Sequence, residues 1–188
     1  MAATGWARSC RDVGPAWGKW VAVAALPFLY SGQGFSLQRD KNRFVLPTGF
    51  RAPLRASSAG NSVLCLAKHD RWKCLTGFGL SRVEEFEDLL EKEREVAMQT
   101  GRDYDADKRA MDLYNFHEIP FDGSGRFVLP EDLAVLSGIE GEIYFQGAGR
   151  FFTAWSPEQL YAMPEGWEAA QMSCRTLAVK ESGKARKK

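Results

Sequence analysis

The pentapeptide Arg-Phe-Val-Leu-Pro occurs twice, at residues 43–47 and again at residues 126–130, 83 residues apart. Five consecutive identities are improbable by chance in a chain of 188 residues, so internal similarity is the first property to interpret. An acidic residue precedes each copy, Asp40 in the first and Asp122 in the second. The sequence therefore predicts a duplicated unit built around this motif.

Similar patterns follow the two copies. Apolar residues after each proline indicate a short helix, which Gly138 ends in the second copy. Two apolar runs come next in each copy, at 62–68 and 71–78 and at 141–146 and 150–155. The sequence Gly-Ala-Gly at 147–149 favours a hairpin. The predicted order is strand, short helix, strand, strand, helix, and because two such small units bury little surface alone, we expect them to share one core.

Capping boxes at Ser81–Glu84 and Ser156–Gln159 predict a helix start after each copy. After the first copy, apolar residues recur at three- and four-residue spacing up to Gly101, where a helix end is expected. Residues 103–115 are expected to form a second helix that leads into the second copy.

The charges are distributed unevenly, although the formal net charge is only +1. Residues 82–95 contain seven acidic and three basic residues, whereas residues 39–55 contain five basic residues and one acid. The basic charge therefore gathers around the first motif, and such a surface attracts the phosphate backbone of nucleic acid. The same residues also fit a local interpretation, in which each aspartate pairs with the arginine after it and fixes a turn.

Catalytic and metal chemistry find little support in the sequence. The four cysteines, Cys10, Cys65, Cys74 and Cys174, form no C-x-x-C pair, and no zinc-ligand spacing is present. The candidates for an enzyme are His117 with Glu118 or Asp122, and the thiol of Cys74. Because no nucleophile elbow, P-loop or dinucleotide fingerprint accompanies them, we predict that the chain is not an enzyme and needs no cofactor.

The two ends of the chain are expected to lie outside the fold. Residues 21–30 form a short apolar run behind basic residues, but no small-residue cleavage site ends it, and it is too short to span a membrane. We interpret residues 1–29 as a disordered arm or a misassigned extension. Because no methionine lies between Met1 and Met98, a start further along would require a non-ATG codon, for example at Val21 or Leu26. The basic tail is expected to be disordered and solubilising; it contains Lys180, Lys184, Arg186, Lys187 and Lys188.

The paired motifs, Asp40-Lys41-Asn42-Arg43-Phe44-Val45-Leu46-Pro47 and Asp122-Gly123-Ser124-Gly125-Arg126-Phe127-Val128-Leu129-Pro130, resemble the doubled D-x-x-x-R…P signature of the MraZ family. That family belongs to the SpoVT/AbrB-like class of bacterial transcription regulators. The resemblance covers about residues 30 to 165, and the doubled motif is fairly specific because most AbrB-like proteins carry one copy.

The resemblance implies an α+β fold, in which two tandem swapped-hairpin modules form a compact β-rich barrel with flanking helices. The expected domains are repeat 1 at 32–79, a helical connector at 81–116, repeat 2 at 117–160 and a C-terminal helix end with the basic tail at 161–188. The implied function is repression of the division and cell-wall gene cluster. The protein would act as a ring-like homo-oligomer on repeated sites in double-stranded promoter DNA, in the cytoplasm and at the nucleoid.

The candidate DNA-binding residues are Arg39, Lys41, Arg43, Arg51 and Arg126, and the motif acids are Asp40 and Asp122. Repeat 1 departs from the family pattern, because Asp40 lies three residues before Arg43 and Arg39 occupies the position of the family acid. Either the first turn is one residue tighter, or the role of the acid is lost and Arg39 adds positive charge. An alternative function is an antitoxin-like module that binds another protein through its acidic helix.

Overall fold

The computed structural model describes residues 28–185, which form eight strands and six α-helices. The predictions for residues 1–27, with Cys10, and for Arg186, Lys187 and Lys188 lie outside this range. The strands are β1 (Gln33–Leu37), β2 (Arg43–Val45), β3 (Val63–Lys68), β4 (Leu75–Phe78), β5 (His117–Pro120), β6 (Arg126–Val128), β7 (Glu142–Gly147) and β8 (Phe152–Trp155). The helices are α1 (Thr48–Ser57), α2 (Phe86–Thr100), α3 (Ala106–Tyr114), α4 (Glu131–Ser137), α5 (Pro157–Tyr161) and α6 (Glu168–Ala185), and a 3₁₀ helix at Leu80–Glu85 precedes α2.

Six strands form one antiparallel sheet in the order β1-β7-β8-β4-β3-β5. The strand before the first motif, β1, pairs with β7 of the second half, and the strand before the second motif, β5, pairs with β3 of the first half. The two halves of the chain therefore exchange their first strands. The central pair, β4 and β8, joins the halves, with Thr76 opposite Thr153.

The two motif strands pair with each other rather than with the large sheet. β2 and β6 form a two-stranded antiparallel ribbon, in which Phe44 lies opposite Phe127. The Leu46 N–H donates to the Gly125 carbonyl at 2.8 Å, and the Leu129 N–H donates to the Asn42 carbonyl at 3.0 Å. These two bonds are equivalent in the two copies, so the motifs hold each other in register.

Buried side chains lie on both faces of the sheet because successive residues of a strand point in opposite directions. Leu64 and Leu66 of β3 join the main core under the ribbon, whereas Cys65 and Ala67 pack on the other face against the 3₁₀ helix and α2. In the second half, Phe145 joins the main core and Tyr144 packs toward α5 and α6. The main core draws on both halves of the chain, so neither half closes a core alone.

Several helix ends follow the sequence prediction. α1 and α4 begin directly after the motif prolines, Pro47 and Pro130. α2 ends at Gly101 and α4 ends at Gly138, and both glycines adopt the left-handed conformation, with φ of 63° and 66°. α3 lies within the predicted range 103–115 and is capped by the Asp105 side chain, which accepts from the Lys108 N–H at 2.9 Å.

Other features differ from the sequence prediction. The α+β class is confirmed, but no closed barrel forms among residues 28–185, because β1 and β5 are opposite edges of an open sheet. Neither predicted capping box forms. Ser156 precedes α5 but makes no side-chain bond to it, and the Ser81 hydroxyl contacts the Ser57 hydroxyl at 2.6 Å where the chain enters α2 through the 3₁₀ helix. The prediction of a disordered basic tail is wrong for Lys180 and Lys184, which lie in α6. No helix in the described part of the chain has the length and apolar character needed to cross a membrane.

The ribbon depends on the burial of its phenylalanines, Phe44 and Phe127, which are 1% and 2% exposed. We expect Phe44→Ala to lower the free energy of unfolding by about 3–5 kcal/mol, because it leaves a cavity where the two halves meet. Urea denaturation measures this change. The control is Val128→Ala on the outer side of the same ribbon, where Val128 is 48% exposed and the expected loss is below about 1 kcal/mol. Equal losses in the two variants would contradict the assignment of the ribbon's inner face.

Candidate nucleic-acid interface

The ribbon brings the two motif arginines to one surface. Because Phe44 and Phe127 face the core, the alternate residues of each strand face outward. Arg43 lies opposite Val128, and Arg126 lies opposite Val45. We call these four residues the outer face of the ribbon. Both arginines are exposed there and line one shallow groove together with Pro120, Phe121 and Asp122.

A five-residue turn precedes each motif strand, and the two turns have the same backbone closure. In the first turn (39–43) the Arg39 N–H donates to the Arg43 carbonyl at 2.7 Å, and in the second turn (122–126) the Asp122 N–H donates to the Arg126 carbonyl at 2.9 Å. Arg39 therefore occupies the structural position of Asp122. Of the two alternatives left open by the sequence, the tighter first turn is wrong, and the replacement of the acid by Arg39 is what the structure shows.

The second turn is closed by its own carboxylate. Asp122 Oδ1 accepts from the backbone N–H groups of Ser124 and Arg126, at 2.8 and 2.9 Å, and Oδ2 accepts from Arg126 Nε at 2.8 Å. The backbone bond from Arg126, its side-chain bond and the backbone bond from Ser124 lower the pKa of Asp122, since each stabilises the carboxylate. The local ion pair that the sequence left as an alternative is therefore present in this turn. It is exposed and contributes little to stability.

The first turn presents positive charge without such a pair. Lys41 and Asn42 adopt the left-handed conformation, with φ of 58° and 56°, and the Asn42 side chain accepts from Gln38 Nε2 at 2.9 Å. Within residues 28–185, no carboxylate forms a salt bridge with Arg39, Lys41 or Arg43, all of which are exposed. The three cations are therefore available to a ligand in solution.

Arg51 has a role within the fold. Its Nε and Nη2 donate to the Leu46 carbonyl at 3.0 and 2.9 Å, which ties α1 to the end of β2. The guanidinium also packs against Gly125 in the second turn, where an added Cβ would lie 2.2 Å from Nε. Gly125 has a φ of 79°, so this position combines close approach with a conformation that favours glycine. Arg51 thus links the two motif copies.

The residues that follow the two motifs differ in charge. The helix after the first motif begins with Thr48 and Gly49, whereas the helix after the second begins with Glu131 and Asp132. The Asp132 carboxylate accepts from His117 Nε2, with Oδ2 at 2.8 Å. The turns themselves also differ: the first holds Arg39, Lys41 and Arg43 with one acid, Asp40, whereas the second holds one cation and one acid, Arg126 and Asp122. The basic charge is therefore concentrated on the first turn.

The residues considered for catalysis have structural surroundings. His117 pairs with Asp132, and Glu118 is exposed on the edge strand β5. Cys65, Cys74 and Cys174 are buried, free thiols, and burial raises the pKa of each, to about 12 for Cys65, so they remain protonated at neutral pH. Among residues 28–185 no group of three or more His, Cys, Asp or Glu side chains could hold a metal ion.

Sequence reasoning missed the helix α6, which lies beside the first turn. Leu177, Glu181 and Lys184 of α6 line a groove with β1 and with Arg39. The buried or half-buried residues Ala170, Cys174 and Leu177 recur at four- and three-residue spacing, and this pattern could have identified the helix.

Comparison with known proteins gives this surface a context. The chain is 34% identical to the transcriptional regulator MraZ of Rhodospirillum rubrum over 126 residues, which are 65% of this chain and 76% of the relative. It is 29% identical to the transcriptional regulator MraZ of Gluconobacter oxydans over 147 residues, 74% of this chain and 80% of the relative. It is 32% identical to the transcriptional regulator MraZ of Methylococcus capsulatus over 118 residues, 62% of this chain and 71% of the relative. No protein-family model matches the chain.

The relatives are named as regulators of transcription, a class without enzymatic activity, so the prediction that the chain is not an enzyme is confirmed. The chain belongs to the MraZ family, as its doubled motif predicts.

The hydrogen bonds of Asp122 generate a prediction about pH. Because its pKa is lowered in the folded protein, the stabilisation is complete above the ordinary pKa of aspartate, about 3.9, and is lost as pH falls through the folded value. We expect Arg126→Met to raise the pKa of Asp122 only partly, since the backbone donors remain. A titration of the side-chain carboxyl carbon by NMR measures this. Arg43→Met, the matched change on the other strand, is expected to leave the pKa of Asp122 unchanged, and an equal rise in both variants would contradict the pairing.

Proposed function

We propose that this protein is a DNA-binding transcriptional regulator that contacts double-stranded DNA with the outer face of the ribbon and with the first turn. The observation that carries the proposal is the placement of Arg43 and Arg126 on one exposed surface, next to the exposed cations Arg39 and Lys41. Exposed cations bind the phosphate backbone, and the planar guanidinium group also suits the edge of guanine. The names of the relatives support the same function.

The candidate residues have different proposed roles. Arg39, Lys41 and Arg43 contact DNA directly, because none of them has a carboxylate partner in the described part of the chain. Asp122 orients Arg126 toward the same surface, through the bond between its Oδ2 and Arg126 Nε. Arg51 holds the second turn against α1, and its Nε and Nη2 groups bond the Leu46 carbonyl. Its Nη1 group does not bond Leu46 and is the part of the side chain that would contact DNA. Asp40 is exposed and lowers the net positive charge of the first turn.

We further propose that residues 32–79 and 117–160 are two tandem SpoVT/AbrB-like repeats with swapped hairpins, joined by the connector 81–116 and followed by a C-terminal region, 161–188. The exchanged pairings support this division, because Leu37 opposite Glu142 and Pro120 opposite Val63 are equivalent positions in the two halves. The ribbon and the β4–β8 pair lie where a twofold axis between the repeats would pass.

At the level of the cell, we propose that the protein represses the division and cell-wall gene cluster that includes its own gene, in the cytoplasm and at the nucleoid. A ring-like homo-oligomer would place several copies of the ribbon on repeated DNA sites, so that weak single contacts add up to strong binding. Two adjacent exposed apolar side chains of α4, Val135 and Leu136, support association between copies, since they are 78% and 46% exposed.

DNA binding tests the proposed function directly. We expect the protein to bind DNA from upstream of its own gene more tightly than scrambled DNA of equal length, with an affinity that falls steeply with salt. Arg43→Ala is expected to weaken binding about tenfold or more and to reduce the slope of log K against log salt by about 1 if Arg43 contacts phosphate. Fluorescence anisotropy over a range of salt concentrations measures both quantities.

The matched control for Arg43 is Arg71→Ala. Arg71 is also exposed, but it lies in the loop after β3, outside the ribbon and the two turns. Salt-independent binding of the unmodified protein, or equal effects of the two substitutions, would overturn the proposed interface. Binding to a protein partner with no affinity for DNA would favour the antitoxin-like alternative.

Association has its own test. Sedimentation at several concentrations is expected to show a particle larger than the 21.0 kDa chain, and Val135→Asp is expected to shift it toward the monomer, because a buried unpaired charge opposes assembly. Val179→Asp on α6, at a residue 75% exposed, is the matched control. A monomer at all concentrations would contradict the oligomer, and disruption by the control alone would place the interface on α6.

A further inference from the structure

A second groove runs beside Arg39 of the first turn, along β1 and the start of α1. We call it the β1 groove. Its walls are β1, the end of β2 with Pro47, and the C-terminal half of α6, and charged residues from three elements line it: Arg39, Arg51, Glu181 and Lys184.

The helix α6 is fixed along the edge strand of the sheet. Ala170 and Cys174 are buried against Tyr144 and Trp155, and the Ser173 hydroxyl donates to Gln33 Oε1 on β1 at 2.8 Å. Leu177, one turn further along, lines the groove. Because these contacts hold the helix in place, Glu181 and Lys184 have a defined position beside Arg39.

Charge distinguishes this groove from the equivalent place near the second turn. There the edge strand is β5 with Glu118, the turn carries Asp122 in place of Arg39, and Glu131 stands where the first half has Thr48. Among residues 28–185, α6 packs on β1 and not on β5. The helix therefore adds its charges to the β1 groove and not to the equivalent place at β5.

Within the groove, Lys184 is held by a weak partner. Its Nζ lies 2.6 Å from Glu181 Oε1, and the lysine side chain is 60% exposed. An exposed pair of this kind contributes little, so a phosphate group can replace the carboxylate as the partner of the lysine. Arg51 is already engaged with the Leu46 carbonyl, which leaves Arg39 and Lys184 as the cations that can bind a polyanion.

We propose that the end of α6 is an additional DNA-contacting element, in which Lys184 binds the phosphate backbone beside the site contacted by Arg39, while Glu181 competes for the lysine and limits the affinity. This inference rests on the proposed function, because the partner is the same DNA duplex. A backbone contact positions the protein and strengthens binding to every sequence equally. It also makes the interface one-sided, since among residues 28–185 α6 has no counterpart beside the second turn.

Two substitutions of the same ion pair separate a DNA contact from a structural role. Lys184→Glu and Glu181→Gln both break the pair, so a purely structural role would make them act alike. The proposal predicts opposite effects. Lys184→Glu lowers the affinity for specific and scrambled DNA by about tenfold and lowers the salt slope by about 1, whereas Glu181→Gln raises the affinity about two- to fivefold.

The matched control is Lys108→Glu on α3. Lys108 is an exposed helical lysine, 67% exposed, that forms a comparable pair with Asp112 at 2.6 Å. It lies in a different part of the surface, and its substitution is expected to leave DNA affinity unchanged. Circular dichroism melting of each variant verifies that the fold is retained.

Each outcome of the anisotropy measurement bears on the proposal. Opposite shifts for Lys184→Glu and Glu181→Gln, with no shift for the control, support it. If the unmodified protein binds DNA but both variants behave like the control, or both weaken binding, the contact by α6 is overturned and the ribbon interface stands. If the unmodified protein shows no salt-dependent DNA binding, the proposed function and this inference fail together.

Discussion

The pairing of β2 with β6 is the constraint on which the rest of the site depends. Each strand of the ribbon has only three residues, and so short a ribbon is not stable in water without a core beneath it. Phe44 and Phe127 supply that core contact, with ring centroids 6.3 Å apart. Because side chains alternate along a strand, burying these two rings forces Arg43 and Arg126 outward on one face. The hydrophobic core and the charged surface are thus two consequences of one register.

The two turns show that the same backbone hydrogen bond can hold side chains of opposite charge. In the second turn, Asp122 satisfies two backbone N–H groups and one guanidinium nitrogen, so the turn is closed from within and its charges largely cancel. In the first turn, Arg39 stands in the place of that acid, and the charges of the turn face solvent. One turn therefore provides a fixed geometry, and the other provides a positive potential that acts over a distance of about 8–10 Å at physiological salt.

The sequence was informative where structure follows from local rules and from exact repetition. The repeated pentapeptide predicted that the two halves correspond, and the glycines at 101 and 138 predicted helix ends that the structure confirms. The strands β1 and β5 were missed as separate elements, since β5 has one fully buried residue, Ile119, among more exposed neighbours. Their partners lie in the other half of the chain, and no local pattern encodes such an exchange.

The candidate site was predictable to a similar extent. The motif arginines could be proposed from composition and spacing, but the part played by Arg51 could not, because its contact with Gly125 spans 74 positions in the sequence. The capping box at Ser81 failed for a related reason. A hydroxyl that can cap a helix can equally bond another hydroxyl, and here Ser57 is close enough to take it. Local sequence patterns identify the side chains that can donate hydrogen bonds, and tertiary packing decides which acceptors they bond.

Having both motif copies in one chain has a physical consequence for the interface. A symmetric pair of identical chains must present identical turns, so a substitution such as arginine for the closing aspartate would change both at once. In a single chain the two turns can differ, and here they do, at Arg39 and Asp122 and at Thr48 and Glu131. The same freedom lets the two edges of the sheet differ, because α6 packs against the edge strand β1, whereas β5 forms the opposite edge. The first turn therefore carries a net positive charge, from Arg39, Lys41 and Arg43 against Asp40, whereas Asp122 and Arg126 balance each other in the second turn. At the proposed interface, this difference in charge would orient the protein on its DNA through the phosphate backbone, before any base is contacted.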